Sequence, residues 1–130
     1  MRLMLIQNFD GRHFFIPSKA NSNIKIDAMF FPCNSEKVLH GDQFAEMKKN
    51  QPKEYLKCPT MLISNPNALY YHHMVNAPNA FWLNFFLKKG INVMCWNYRN
   101  YGDTNGSPSP YNIKVDAESV FQFMVEELKL

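Results

Sequence analysis

The sequence predicts an α/β protein, and three observations carry that prediction. Two short apolar, β-prone runs stand at 59–64 and 91–96, and each precedes a stretch whose apolar residues recur at helical spacing. Two further extended segments come before them. The order strand, strand, long loop, strand, helix, strand, helix is the order of a sheet built with right-handed crossovers. Four strands and two main helices are therefore expected.

From 14–17 and again from 23–32 the residues favour extended structure, with Ile24, Ile26, Ala28 and Phe30 alternating with Lys25, Asp27 and Met29. Two N-terminal strands follow from this, joined around Asn21, Ser22 and Asn23. Residues 33–57 mix Asn, Ser, Gly, Lys and Pro with little apolar periodicity, which predicts a long loop with one helical turn near 44–47. The run Pro59, Thr60, Met61, Leu62, Ile63, Ser64 is closed by Asn65, Pro66 and Asn67, a pattern typical of a strand buried on both faces.

A helix is expected next, with Asn76 and Pro78 at its start and Gly90 as its stop after Lys88 and Lys89. Trp82, Phe81, Phe85 and Phe86 cover one broad face of it and need a sheet to lie on. A second buried strand occupies 91–96. Ser109 then caps and Pro110 opens a helix whose apolar positions Ile113, Ala117, Val120, Phe121, Met124 and Leu128 step by three or four. Its outer face is assigned to Lys114, Asp116, Glu118, Gln122, Glu126 and Glu127.

The length of 130 residues suits one domain, divided here into N-terminal strands (1–33), a long loop (34–58) and a β-α-β-α unit (59–130). A hydrophobic fraction of 46% against 19% charged residues belongs to a folding chain. Lys+Arg number 14 and Asp+Glu 11, and the basic residues are scattered, so no nucleic-acid partner is expected. Cys33, Cys58 and Cys95 form no C-x-x-C pair, which argues against a disulfide framework or zinc knuckle and fits a reducing compartment. No run is long enough for a signal peptide or a membrane span, so a soluble, intracellular, cytoplasmic protein is expected.

The loops after the two buried strands carry the chemistry-bearing residues. Asn65, Pro66, Asn67, Ala68 and Leu69 follow the first, and Arg99, Asn100, Tyr101, Gly102, Asp103, Thr104, Asn105 and Gly106 lie after the second. Over 59–130 this pair resembles the loops of α/β-hydrolase-domain proteins of the serine-hydrolase class, in which an H-G-N-A-like turn follows strand three and an R-G-x-G-x-S-x-G-like loop follows strand four. The resemblance implies the first part of that fold, with strand order 1-2-4-3. It also implies that Asn65, Asn67, Ala68 and Leu69 form the loop that donates a backbone N–H to the oxyanion hole. Asn65 and Pro66 replace the family's His-Gly, and proline has no N–H to give. Arg99, Gly102 and Gly106 match the second loop, where Asn100 stands in place of a glycine.

No catalytic residue is assigned. The family's serine sits in G-x-S-x-G after strand five, and the sequence contains no such motif. Ser107 follows the wrong strand, and Pro108 removes the N–H that an oxyanion hole needs. Asp103 fits turn geometry better than catalysis. His72 and His73 are adjacent, so their side chains diverge, and His13 and His40 stand alone; no metal site and no cofactor are expected.

The expected role is accordingly that of a non-catalytic, hydrolase-like structural or interaction subunit. The alternative is the N-terminal part of a serine hydrolase whose serine, acid and histidine lie in another segment or chain, and a third is an inactive truncated product. In the family, strand five pairs with strand three. Met61, Leu62, Ile63 and Ser64 are therefore expected to present an open edge to a partner chain or assembly, with Phe123 and Val125 facing it as well.

Overall fold

The structure, a computed structural model, describes residues 2–33, 54–65, 69–74 and 80–130. In chain order its elements are α1 (Arg2–Phe9), β1 (Arg12–Ser18), β2 (Asn21–Phe31), a 3-10 turn (Glu54–Lys57), β3 (Thr60–Ser64), α2 (Tyr71–Met74), α3 (Phe81–Lys88), β4 (Asn92–Trp96) and α4 (Pro110–Glu126). The expected turn at 44–47 and the helix start at Asn76 and Pro78 lie outside the described residues. The helix α1 and the short α2 were not expected from the sequence.

The four strands form one mixed sheet in the order β1-β2-β4-β3. A hairpin pairs β1 with β2, β2 runs antiparallel to β4 with Ala28 opposite Trp96 and Phe31 opposite Val93, and β3 lies parallel to β4 with Leu62 opposite Met94. Strand side chains alternate between faces, so each face gathers its own core. Met29, Phe31, Val93 and Cys95 meet Leu5 of α1 and Leu83 and Leu87 of α3 on one side. Ile16, Ile26, Ala28, Phe30, Met94 and Trp96 meet Val120 and Met124 of α4 on the other. Because helices cover both faces, β4 is buried along its whole length and β2 from Ile26 onward, Asp27 and Met29 included.

Helix ends follow local chemistry. Gly90 takes φ 74°, its N–H donates to Leu87 O at 3.1 Å, and Ile91 N donates to Phe86 O at 3.1 Å, a Schellman stop for α3. Ser109 holds extended φ and ψ while its Oγ accepts from Asn112 N at 3.1 Å, and Pro110 occupies the first turn of α4.

Several expectations need correction. The edge position of β3 leaves it only half-buried, with Met61 38% exposed, because among the described residues β4 is its sole strand neighbour. On α3 the sheet takes Leu83 and Leu87, while Trp82 and Phe86 pack at the margin and Phe81 and Phe85 face outward. On α4, Phe121 is 58% exposed, one position past the buried Val120. Phe123, expected to face a partner, instead packs on Phe14 with ring centroids 5.0 Å apart. Asp116, expected on the outer face, is buried.

Candidate functional site

The loops after β3 and β4 are stitched together by three asparagine and threonine side chains, each doing what a short polar side chain does best in a turn. Asn65, buried at the end of β3, accepts from Tyr98 N at 2.8 Å and donates through Nδ2 to Leu69 O at 2.6 Å. It therefore ties the end of β3 to Leu69 and to the loop that follows β4. Asn97, just past β4, accepts from Tyr71 N at 2.9 Å and donates to Asp27 Oδ2 at 2.9 Å. Thr104 folds the second loop back by donating to Asn97 O at 3.0 Å and accepting from Asp27 N at 2.9 Å. Asn67 and Ala68 lie outside the described residues, and Leu69 is exposed.

Asp27 is the hub beneath these loops. Its carboxylate accepts from His13 Nε2 at 2.8 Å, Tyr71 Oη at 2.9 Å, Asn97 Nδ2 at 2.9 Å, Arg2 Nη2 at 3.1 Å and Asp103 N at 3.2 Å. Burial pushes this carboxyl up, and the hydrogen bonds from His13, the Asp103 backbone and Tyr71, with the Arg2 charge, outweigh it and hold it below the usual range. Burial and the neighbouring Asp27 charge push the Tyr71 phenol up, so it remains a donor. Arg2 also reaches Asp103 at 2.6 Å. An isolated buried carboxylate would be prohibitive; one with this many donors fixes the relative placement of α1, β1, β2, α2 and the loop after β4.

Arg99, Gly102 and Gly106 have distinct structural tasks. Arg99 turns away from the loop and grips Asp116 of α4 through two parallel hydrogen bonds. Gly102 has φ 56°, and a Cβ there would strike the Asn97 amide and come within 2.9 Å of Asp27 Oδ2. Gly106 has φ 86°, and its missing Cβ leaves room for Ile24, whose Cδ1 would be 2.9 Å away. Asn100, at the position where the resembling loops carry glycine, takes φ 65°, a conformation asparagine tolerates better than most residues.

Asp103 is mostly exposed and its carboxylate is engaged by Arg2. The His72 ring stacks on Tyr71 at 4.0 Å and meets Tyr70 edge-on at 5.5 Å, and the His73 ring leans on Tyr70 at 4.1 Å. Burial drives the pKa of His72 down to about 4, which keeps its ring neutral. Sequence reasoning missed Arg2, His13, Asp27, Tyr71 and Asn97 as a group. A lone aspartate within the otherwise apolar second half of β2 was the available signal.

The chain is 32% identical over 111 residues to "Protein bem46" of Schizosaccharomyces pombe, a match that takes in 85% of this chain and 34% of that protein. It is 34% identical over 65 residues to "Uncharacterized membrane protein YNL320W" of Saccharomyces cerevisiae, covering 50% of this chain and 22% of that one. Among solved structures, the Pyrococcus furiosus esterase Pf2001 in two crystal forms superposes with TM-scores of 0.58 and 0.57 at 13% identity, matching 93% and 92% of this chain and 38% and 35% of the esterase. No protein-family model matches the chain. The chain has an α/β-hydrolase-like fold, of which it carries the part that runs through the strand order 1-2-4-3. It spans about a third or less of the length of these curated relatives. Among the described residues no helix is long and apolar enough to cross a membrane.

Proposed function

We propose that the chain acts as a non-catalytic, α/β-hydrolase-like subunit whose work is structural: it fixes the loop that follows β3 and offers the β3 edge to another polypeptide segment. The observation that carries this reading is the state of β3. Among the described residues it pairs only with β4, it has no charged side chain between Thr60 and Ser64, and Met61 stands 38% exposed. An apolar edge of that kind favours strand addition. The polar groups beneath the two loops fit a scaffold, since the Asp27 carboxylate next to His13 is already occupied by four other donors.

The second reading makes the chain the first part of a serine hydrolase, and what favours it is the match to 34% of the length of bem46. A fluorophosphonate probe separates the two. On both readings the purified chain is expected to remain unlabelled and inactive on an ester panel, so the extract decides between them. Labelling of the chain itself that disappears in Ser107→Ala overturns the structural reading. In extracts of the source organism, a labelled band that reacts with an antibody against residues 110–130 supports the second reading.

A further inference from the structure

The loop that leads from Gly106 into α4 reads Ser107, Pro108, Ser109, Pro110, two consecutive Ser-Pro pairs. A proline holds the residue before it extended, and Ser109 is extended accordingly, with φ −153° and ψ 160°. A Ser-Pro pair is thus an extended serine followed by a residue with no backbone N–H, the feature that proline-directed protein kinases select. Ser107 and Pro108 are both exposed.

The two hydroxyls differ in what they already do. Ser109 Oγ caps α4 by accepting from Asn112 N at 3.1 Å, its carbonyl accepts from Ile113 N at 2.9 Å, and Pro110 lies within the first turn. A kinase can take Ser109 and Pro110 as an extended pair only by unwinding the helix start. Ser107 stands two residues before the cap. Its carbonyl accepts from Asn112 Nδ2 at 3.1 Å, and its Oγ has no hydrogen-bond partner among the described residues. The same dipeptide therefore occurs once with a free, exposed hydroxyl and once with an occupied one.

We propose that Ser107 is a phosphorylation site for a proline-directed protein kinase, and that the helix cap protects Ser109 from the same enzyme. Ser107 Oγ attacks the γ-phosphorus of ATP; the Oγ–P bond forms as the bond to the β–γ bridging oxygen breaks, ADP leaves, and the hydroxyl proton passes to a base of the kinase. The phosphate adds a charge of about −1.5 to −2 at pH 7. It lies beside the first turn of α4, where no acidic side chain stands and the helix dipole favours an anion, so the modified chain keeps its fold. Neither strand addition at β3 nor a completed hydrolytic site is required.

The test incubates the full chain with ATP and a proline-directed kinase chosen because it phosphorylates both serines at similar rates in the synthetic segment 101–114, which is too short to hold a helix in water. Site-resolved mass spectrometry is expected to find phosphate on Ser107, entering about tenfold faster or more than at Ser109, the order set by the cost of uncapping α4. Ser107→Ala is expected to lose this rapid labelling. The phosphorylated chain is expected to unfold at or above the temperature of the unmodified one. Equal rates at the two serines, phosphate on Ser109 alone, no incorporation into the folded chain, or a lower unfolding temperature after modification would overturn the proposal.

Discussion

Arg99 and Asp116 form a two-pronged buried ion pair, Nε to Oδ2 at 2.8 Å and Nη2 to Oδ1 at 2.9 Å. The loop after β4 is thereby bolted to α4, and Ser18 at the end of β1 joins by donating to Asp116 Oδ1 at 2.7 Å. Arg99→Ala strands the Asp116 carboxylate in a buried site, and a loss of about 3 to 5 kcal/mol is expected in urea unfolding. Arg99→Met combined with Asp116→Leu removes both charges and is expected to cost clearly less than Arg99→Ala.

The glycine positions of the same loop divide by geometry. Gly102→Ala places a Cβ at φ 56° against Asn97 and Asp27, and a destabilisation above about 1 kcal/mol is expected. Asn100→Gly relaxes a left-handed asparagine and is expected to change stability by less than about 1 kcal/mol in either direction. Thermal unfolding of the two variants in parallel measures the contrast.

On α4 the buried and exposed faces predict opposite outcomes for neighbouring residues. Met124→Ala opens a cavity against Trp96 and Met94 and is expected to cost about 2 to 5 kcal/mol. Phe121→Ala is expected to cost less than about 0.5 kcal/mol, since its ring is 58% exposed. Equilibrium unfolding of both proteins checks the assignment of faces.

His72 links stability to pH. Its folded pKa of about 4 lies below the ordinary histidine value of 6.5, so between those values the unfolded chain binds more protons than the folded one. Stability therefore rises with pH across that window and falls as pH drops below 6.5. Asp27 acts lower on the scale: its folded pKa is depressed, so its contribution is present above the unfolded carboxylate value and lost as pH falls through the folded one. His72→Phe is expected to flatten the unfolding midpoint between pH 4 and 6.5 and leave the steeper acid loss in place.

Much of this fold was legible in the residues themselves. The apolar runs at β3 and β4, the Gly90 stop and the Ser109-Pro110 start are local signals, and local chemistry governs them. The strand order came from the resemblance of the loops after β3 and β4. What was not legible depended on partners distant in sequence. Asp116 reads as an outer-face residue until Arg99 is placed beside it, and Asp27 reads as one polar position in an alternating strand until five donors from four other segments converge on it. The α1 helix was missed because eight residues with no charge at the appropriate ends carry little helical signature, and tertiary contacts of Leu5 and Arg2 hold it. Phe85 and Phe121 were misplaced because an aromatic stripe fixes a helix's apolar side only to within one residue, and Leu83, Leu87 and Val120 took the contact instead.

Hydrogen exchange of the purified chain, read with its elution volume on size exclusion, tests the central claim most directly. The expected result is a chain that self-associates or, as a monomer, exchanges those amides among Met61, Leu62, Ile63 and Ser64 whose N–H points away from β4 far faster than the amides of Val93, Met94 and Cys95 in the interior β4. Binding of the completing polypeptide is expected to slow these β3 amides to the β4 level. A monomer whose outward β3 amides already exchange as slowly as those of β4 would contradict the claim, because such a chain protects its own edge and leaves no strand to offer.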